Sequence, residues 1–305
     1  MKSKTVVFGE IKSTHRRSDF ACRRHISHCA AIFHPPARVD FAAALRGNIM
    51  GVFFFMLKGF FEENPRVAVA FSGGADSAYL LSQAVKYAES VLACCVKTVF
   101  NAEHELDDAL RLAKELGAEL EVIPVDILAD ERVAVNDPLR CYYCKTRLLG
   151  AVKEYAAARG YDLVVDGSNA DDDPAGRPGM KALSELGIRS PIREAGITKA
   201  ELRRLSREAG LFTWNKPSDS CAATRVPTGT RLEAEMLEKI KAGEKSLREL
   251  GFYELRLRLR DGGAKLELPE DQIVMAVEKR NDILTALGGD FREITLDLRG
   301  RTPRG

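Results

Sequence analysis

The sequence predicts an α/β protein in which a doubly wound parallel sheet is followed by a small C-terminal α+β domain. From residue 66 onward, short apolar runs alternate with segments of helical period, as in βαβ units with buried parallel strands. Gly117, Gly160 and Gly251 each follow a helical segment directly, where glycine commonly ends a helix. After residue 227 the pattern changes to a helix, a hairpin, a further helix and a last strand, which indicates a second unit.

The first domain has four predicted strands and four predicted helices. The strands are short apolar runs at 66–71, 91–97, 119–125 and 162–167. The helices have apolar residues at helical spacing over 77–89, 103–116, 142–159 and 199–209. Thr198 and Glu201 form a capping box in front of the last of these helices. The rest is predicted to be a polar loop over 168–180 and an irregular segment over 211–227.

Turn and capping signals predict the elements of the second domain. Thr230 and Glu233 form a further candidate capping box, in front of a predicted helix over 231–250. Asp261-Gly262-Gly263 is typical of a hairpin turn between two strands. Pro269 is favoured in the first turn of a helix, so we expect a long helix from this residue to Leu287. The predicted strands are 254–260, 264–268 and 293–298.

The first fifty residues differ from the rest of the chain in charge. They contain nine basic and three acidic residues, a net charge of +6, whereas the other 255 residues contain 37 basic and 41 acidic residues, a net charge of −4. They also hold four of the five histidines, but without the paired spacing of a zinc site. We therefore predict a poorly ordered extension over 1–56, a first domain over 57–226 and a C-terminal domain over 227–305.

Composition excludes several broad classes of protein. Hydrophobic residues make up 45% and charged residues 30% of the chain, which are ordinary globular values. The apolar run from Ile49 to Leu57 is too short to span a bilayer. The seven cysteines, with Cys94 and Cys95 adjacent on a predicted strand, do not suit a disulfide framework. We therefore expect a cytoplasmic protein that does not bind membranes. Because the body is acidic, general binding of nucleic acid is also disfavoured.

A glycine-rich loop, Ser72-Gly73-Gly74-Ala75-Asp76-Ser77, lies between the first predicted strand and the next helix. Its glycines let the backbone turn tightly, and its N–H groups with the helix N-terminus can hold phosphate oxygens. Ser72 and Ser77 add hydroxyl donors, but the lysine of a Walker A loop is missing. Asp76 would repel phosphate unless it binds Mg²⁺ or a ribose hydroxyl. The alternative is a plain strand–helix turn.

Three cysteines form a second candidate site. Cys141 and Cys144 are spaced as CxxC at the start of a predicted helix, a position that lowers thiol pKa values and suits redox chemistry or metal binding. Cys221, in the irregular segment, is the strongest candidate for a third thiolate. A structural zinc site needs a fourth ligand, whereas a [4Fe–4S] cluster held by three cysteines leaves one iron open.

These motifs resemble those of known enzymes. The loop SGGADS resembles the pyrophosphate loop of the N-type ATP pyrophosphatases, which have an adenine nucleotide alpha hydrolase-like fold and cleave ATP between its α- and β-phosphates. The segments RPG at 177–179, REAGITK at 193–199 and KPSDSCAATR at 216–225 are more specific. With the loop, they resemble the LarE family of ATP-dependent sulfur transferases over residues 57–300, in matching order.

The resemblance implies a reaction in the synthesis of a nickel-pincer nucleotide cofactor. ATP adenylates a carboxylate of pyridinium-3,5-biscarboxylic acid mononucleotide, and sulfur then displaces AMP to leave a thiocarboxylate. In some family members the cysteine matching Cys221 gives up its sulfur and becomes dehydroalanine. Others also carry a CxxC and use a [4Fe–4S] cluster that delivers added sulfide, and Cys141 and Cys144 match this second group. The implied cofactors are ATP, Mg²⁺ and a [4Fe–4S] cluster.

The resemblance also assigns roles to individual residues. Asp76 and Cys221 are the predicted catalytic residues. Arg256 and Arg258, which alternate along one strand, are predicted to bind the substrate phosphate; a solvated strand face is the alternative. The residues predicted to hold ATP or pyrophosphate are Ser72, Gly73, Gly74, Asp76, Ser77 and Arg177. Glu244 and Glu267 are predicted to join an inter-subunit metal site. Independently of the resemblance, Asp171 and Asp172 follow the fourth strand at the carboxyl edge of the sheet and are predicted to bind Mg²⁺, with a solvated acidic loop as the alternative.

Two other functions stay open on the sequence alone. One is an ATP-dependent tRNA thiolase of the same superfamily, which usually carries zinc ribbons or a basic RNA-binding module. The other is a nucleotide-binding sensor with a structural metal. The acidic body and the single CxxC favour the small nucleotide substrate over tRNA. The family resemblance further implies a homo-oligomer and partner enzymes from the same cofactor pathway.

Overall fold

The computed structural model describes residues 49–172, 178–216 and 220–301, which belong to one compact unit, 47–305. Helices and strands alternate in its first part: α1 Ile49–Glu63, β1 Arg66–Ala70, α2 Ala75–Tyr87, β2 Ser90–Lys97, α3 Glu103–Leu116, β3 Glu119–Pro124, α4 Glu131–Ala134, α5 Arg140–Ala157, β4 Val164–Asp166, α6 Pro178–Leu186, α7 Pro191–Glu194 and α8 Lys199–Glu208. Two 3₁₀ turns follow, at Phe212–Asn215 and Ala222–Arg225. The second part contains α9 Ala234–Glu249, β5 Arg256–Arg260, β6 Gly263–Glu267, α10 Ile273–Glu278, α11 Arg280–Leu287 and β7 Ile294–Leu296.

Strands β1 to β4 form a parallel sheet in the order β3-β2-β1-β4, which confirms the predicted α/β class. Side chains alternate along β1, so that Val67 and Val69 pack on one face and Ala68 on the other. Residues of α2 and α3 cover the first face, and residues of α5 and α6 cover the second. Since the strands are parallel, their carboxyl ends meet at one edge, where such sheets bind ligands.

The first helix crosses the boundary predicted between residues 56 and 57. Leu57 and Phe61 of α1 are 1% and 0% exposed and pack in the same core as α2 and β1. The apolar run from Ile49 therefore belongs to a packed helix of the first domain. Residues 1–48 make up most of the predicted extension and lie outside the described part of the chain. Within that part, no helix combines the length and the apolarity needed to cross a bilayer.

The second sheet pairs β5 with β6 in antiparallel and β6 with β7 in parallel fashion. The predicted hairpin is confirmed: Asp261 and Gly262 have φ values of 47° and 78°, the pair of positive angles that a type I′ turn requires. The predicted long helix from Pro269 is wrong. A 3₁₀ turn at Glu270–Gln272, α10 and α11 take its place, and α10 ends where Lys279 leaves helical geometry with φ −89° and ψ 18°.

The capping box predicted at Thr230 and Glu233 is also wrong, because tertiary hydrogen bonds hold this segment in another conformation. The Thr230 carbonyl accepts a hydrogen bond from the Asn136 side chain at 3.0 Å, and the Leu232 N–H donates to the Ala134 carbonyl at 2.8 Å. Helix α9 therefore begins only after Glu233. The end of the loop predicted over 168–180 likewise differs, since α6 begins at residue 178.

A second hydrophobic core lies under the C-terminal sheet and draws on both parts of the chain. Leu237 of α9 and Leu257 of β5 pack in it, both 0% exposed. Phe100, Ile127 and Val133, from the segments that follow β2 and β3, belong to the same core. The division into two domains between 226 and 227 stays a prediction, because this core spans it.

Candidate active site

The glycine-rich loop connects β1 to α2 at the carboxyl edge of the parallel sheet. Gly74 is the N-cap of α2, and Gly73 has a φ of 73°, a left-handed conformation that suits glycine. The Ser72 and Ser77 hydroxyl oxygens lie 3.1 Å apart, and the Ser77 hydroxyl donates to the Gly74 carbonyl at 3.2 Å. These bonds close a tight turn at a helix N-terminus, an arrangement suited to binding anions.

Asp76, in the first turn of α2, is held by two residues that are distant in sequence. Its Oδ1 atom forms an ion pair with the Lys199 ammonium, and its Oδ2 atom accepts a hydrogen bond from the Asn169 side chain at 3.0 Å. Lys199 thus offsets the negative charge that would otherwise repel phosphate beside the loop. Lys199 and Asn169 were not among the predicted site residues, although Lys199 ends the REAGITK segment and Asn169 follows the fourth strand.

Strand β4 supports this loop from the neighbouring position in the sheet. The buried Asp166 carboxylate at its end accepts hydrogen bonds from the Ser190 hydroxyl at 2.5 Å and the Ser168 hydroxyl at 2.6 Å. Gly167 follows, and a Cβ atom built on it would lie only 2.8 Å from the Ser77 backbone nitrogen. The signal for Gly167 in the sequence is a glycine directly after a strand, where another backbone often approaches closely.

The predicted magnesium ligands lie in the loop after β4. An oxygen of Asp171 accepts a hydrogen bond from the Lys199 backbone N–H at 2.8 Å, and Asp172 accepts one from the Asn169 backbone N–H at 3.0 Å. Asp171 and Asp172 therefore hold the backbone of Lys199 and Asn169, the two residues whose side chains contact Asp76. Binding of Mg²⁺ by these residues stays a prediction. Arg177, predicted to contact ATP, lies outside the described residues.

A cleft of about 430 Å³ runs along this edge of the sheet. Ser72, Asp76 and Ser77 line it, and so do Cys144 and Cys221. The strand ends that form its wall come from β1, β2 and β4, and its volume is within the range of small-molecule sites. The glycine-rich loop and two of the predicted cysteines therefore open into a single cleft.

The three predicted cysteines come together beside this cleft. Cys141 and Cys144 lie in the first five residues of α5, and Cys221 lies directly before a 3₁₀ turn. Burial and, to a smaller extent, the neighbouring Cys221 and Cys141 thiols raise the pKa of the Cys144 thiol to about 12. The pKa of the Cys221 thiol is also raised, because the protein atoms around the sulfur desolvate the thiolate although the residue reaches the surface, while the Arg140 guanidinium acts in the opposite direction.

The predicted lowering of thiol pKa at a helix N-terminus is wrong for Cys144. This residue is the fifth of α5, beyond the helical turn whose free N–H groups stabilise a thiolate. Desolvation therefore outweighs the helix and the Arg140 charge. Cys94 and Cys95 on β2 are buried core thiols, as predicted, and their burial raises their pKa values to about 12 and 11.

Three arginines hold the backbone of the segment that carries Cys221. Arg225 donates to the Ser220 carbonyl at 2.6 Å, Arg140 to the Ala223 carbonyl at 3.0 Å and Arg258 to the Thr224 carbonyl at 2.6 Å. Each of these guanidinium groups comes from a different part of the chain. The position of Cys221 is therefore fixed by long-range contacts as well as by local structure.

Glu244 and Glu267, predicted to bind an inter-subunit metal, form ion pairs with two of these arginines. Glu244 is 5% exposed, and its two oxygens accept from Arg225 at 2.8 and 3.1 Å. Glu267 accepts from Arg258 at 2.7 Å and pairs with Lys265 at 2.8 Å. Cations of the same chain therefore pair with both carboxylates, and binding of an inter-subunit metal by them stays a prediction.

Arg256 and Arg258 do not form the solvated strand face that was the alternative to phosphate binding. Arg256 is 4% exposed and donates to the Leu255 carbonyl at 2.9 Å. Arg258 is half-buried and bridges Glu267 to the Thr224 carbonyl, close to Cys221. Their predicted contact with the substrate phosphate stays a prediction.

The chain is similar to known proteins over most of its length, although no protein-family model matches it. It is 38% identical over 244 residues to the pyridinium-3,5-bisthiocarboxylic acid mononucleotide synthase of Lactiplantibacillus plantarum, a match that covers 78% of this chain and 88% of that protein. The chain belongs to the LarE family of such synthases. The family resemblance seen in the glycine-rich loop and the Cys221 segment is thereby confirmed.

Further relatives extend the LarE assignment. An uncharacterized protein of Synechocystis is 35% identical over 248 residues, which cover 80% of this chain and 92% of that protein. The tRNA-specific 2-thiouridylase MnmA of a Thermotoga species is 28% identical over 207 residues, only 54% of this chain and 58% of that enzyme. The LarE-family chain therefore shares its pyrophosphate-loop superfamily with tRNA thiolases, and both named relatives are sulfur-transferring enzymes.

Proposed function

We propose that this LarE-family protein is an ATP-dependent sulfurtransferase that forms AMP and pyrophosphate. A carboxylate of pyridinium-3,5-biscarboxylic acid mononucleotide attacks the α-phosphorus of ATP, which gives an acyl adenylate and releases pyrophosphate. A sulfur nucleophile then attacks the acyl carbon, and AMP leaves with the former carboxylate oxygen. The adenylate is needed because a carboxylate oxygen is a poor leaving group and AMP is a good one.

The observation that carries this proposal is the cleft shared by the glycine-rich loop and two cysteines. An adenylate formed beside Ser72 and Ser77 lies in the same cleft as Cys144 and Cys221. The sulfur step can therefore follow without release of the activated intermediate, which water would hydrolyse. The relative from Lactiplantibacillus plantarum, named for a bisthiocarboxylic acid mononucleotide, supports this choice of substrate.

In the adenylation step, the loop and the network around Asp76 would bind and orient ATP. The hydroxyl groups of Ser72 and Ser77 and the N-terminus of α2 would hold the phosphates that leave as pyrophosphate. Lys199 would offset the charge that accumulates there as pyrophosphate leaves. Mg²⁺ would accompany ATP, with Asp76, Asp171 and Asp172 as candidate ligands because hard cations prefer carboxylate oxygens.

The thiols of Cys141, Cys144 and Cys221 fit a [4Fe–4S] cluster, which we propose as a further cofactor. Thiolates bound to different irons stand further apart than thiolates that share one ion. Among the described residues, no three His, Cys, Asp or Glu side chains are arranged around a single ion, yet the Cys141 and Cys221 thiols are near enough to Cys144 to raise its pKa. When bound, the cluster would supply the sulfide, and loading it would displace the thiol protons.

The first experiment identifies the products. Protein purified without oxygen is incubated with ATP, sulfide and the pyridinium substrate, or with tRNA in its place. We expect AMP, pyrophosphate and a substrate whose mass rises by the exchange of oxygen for sulfur, and no reaction with tRNA. Asp76→Asn should abolish AMP formation, whereas Asp162→Asn, the same change at an exposed carboxylate, should not. Formation of ADP, or thiolation of tRNA alone, would refute the proposal.

Mass spectrometry of the protein after the reaction then separates two sources of sulfur. With the cluster, the protein turns over repeatedly and Cys221 stays intact. Without it, the Cys221 thiolate attacks the adenylate, AMP leaves, and β-elimination cleaves the Cβ–S bond, which leaves a thiocarboxylate and dehydroalanine. Dehydroalanine at residue 221, with no iron after anaerobic reconstitution, would exclude the cluster and leave the sulfurtransferase proposal standing.

A further inference from the structure

Arg140 connects the helix that carries Cys141 and Cys144 to the segment that carries Cys221. It is 9% exposed, and its guanidinium donates to the Asn136 side-chain oxygen at 2.6 Å and to the Ala223 carbonyl at 3.0 Å. A third contact reaches the Cys141 sulfur at 3.4 Å. One buried side chain on α5 therefore touches a cysteine of the CxxC and the backbone two residues beyond Cys221.

Asn136 extends this connection further along the same segment. Its side-chain nitrogen donates to the Pro227 carbonyl at 2.9 Å and to the Thr230 carbonyl at 3.0 Å. Asn136 is 0% exposed and has a φ of 57°, a left-handed conformation that the surrounding contacts maintain. Arg140 and Asn136 thus bind the chain on the C-terminal side of Cys221 to the start of α5.

The geometry of these contacts requires arginine. Its planar fork donates several hydrogen bonds in fixed directions, whereas a lysine ammonium is a point charge on a flexible stem. The Nη1 atom donates to both Asn136 and Ala223, while Nη2 points to Cys141. A buried guanidinium is tolerated because these hydrogen bonds replace those it would make with water. A lysine ammonium could not make all of them in the same directions, so this position favours arginine.

We propose that Arg140 is a positioning residue that holds the Cys221 segment against the helix of Cys141 and Cys144, so that the three sulfurs form one site. Arg140 acts through the cysteines and not on the nucleotide. This inference rests on the proposed function only for the use of that site in sulfur transfer. The juxtaposition of the sulfurs can be measured without any reaction.

The test is crosslinking of thiols in the metal-free protein with dibromobimane, which joins two nearby sulfurs. Peptide mass spectrometry separates the link within α5, Cys141 to Cys144, from links between α5 and Cys221. In Arg140→Gln, links to Cys221 should fall about tenfold, the scale set by losing a charge-assisted hydrogen bond. The link within α5 should not change. Arg147→Gln, the same charge change at an exposed position of α5, should behave as wild type.

Arg140→Lys is a second variant in case Arg140→Gln does not fold. It keeps the charge but not the fork, so links to Cys221 should fall by a smaller factor. Kinetics add a readout that general destabilisation would not give: release of pyrophosphate should stay unchanged while formation of the thiocarboxylate falls. Wild-type crosslinking in a folded variant, or an equal loss of both activities, would overturn the inference. If wild-type protein forms no thiocarboxylate, the proposed function fails, and the crosslinks still decide the role of Arg140.

Discussion

Gly167→Ala tests whether β4 supports the phosphate-binding loop through close backbone contact. A Cβ atom at this position would lie 2.8 Å from the Ser77 nitrogen and 3.0 Å from the Asp76 carbonyl carbon. Both atoms belong to the backbone of α2, so no side chain can move aside to make room. Overpacking of this kind costs about 1–3 kcal/mol. Relief of the clash would displace the first turn of α2, and with it Ser77.

A matched control is Gly150→Ala, in the interior of α5. No atom lies within 4 Å of a Cβ atom at that position, so alanine should stabilise the helix by about 0.5–1 kcal/mol. The two changes add the same methyl group and should shift the melting temperature in opposite directions, by roughly 2–4 °C per kcal/mol for a domain of this size.

Thermal unfolding and the KM for ATP measure the two consequences of Gly167→Ala. We expect a lower melting temperature and a raised KM for ATP, since the displaced turn carries the loop hydroxyl. Gly150→Ala should leave the KM unchanged. If Gly167→Ala were as stable as Gly150→Ala and bound ATP normally, the proposed support of the loop by β4 would be refuted.

Three further predictions concern stability. Removal of residues 1–48 should leave the melting temperature unchanged, whereas removal of 1–63 should unfold the protein, since burial of Leu57 and Phe61 contributes about 2–3 kcal/mol each; equal effects of the two truncations would contradict this. The free energy of unfolding should decrease as pH rises from 9 to about 12, because the Cys94 and Cys95 thiols ionise near 9.0 when unfolded but only at about 12 and 11 when folded. Replacing both by valine should weaken this pH dependence in chemical denaturation, and an unchanged slope would refute the assignment. Glu244→Gln should cost about 3–5 kcal/mol, because it leaves the buried Arg225 guanidinium without its carboxylate; loss of bound metal without loss of stability would contradict this structural role and support the predicted metal site.

Features set by local sequence were predictable. The parallel strands, the glycine-rich loop and the hairpin at Asp261 and Gly262 follow from apolar period and turn chemistry, which act over a few residues. Cys141 and Cys144 were identified by their CxxC spacing and lie together at the start of α5. In each case the residues that determine the feature are close to it in sequence.

Features set by distant partners could not be predicted. Lys199 and Asn169 meet Asp76 across 123 and 93 residues, so no local pattern indicates their contact. The capping box at Thr230 failed because the Asn136 side chain, 94 residues away, occupies the Thr230 carbonyl. Tertiary hydrogen bonds in such places outweigh the local preference of the chain.

The shared second core limits how the C-terminal half can be exchanged in evolution. Phe100 and Ile127 follow strands β2 and β3, and Phe100 also lines the cleft. A foreign module grafted after residue 226, such as one that recognises RNA, would leave these side chains without an apolar partner. Exchange of the C-terminal half therefore requires coordinated substitutions on both sides of this junction. Phe100 therefore contributes both to the cleft and to the folding of the C-terminal half.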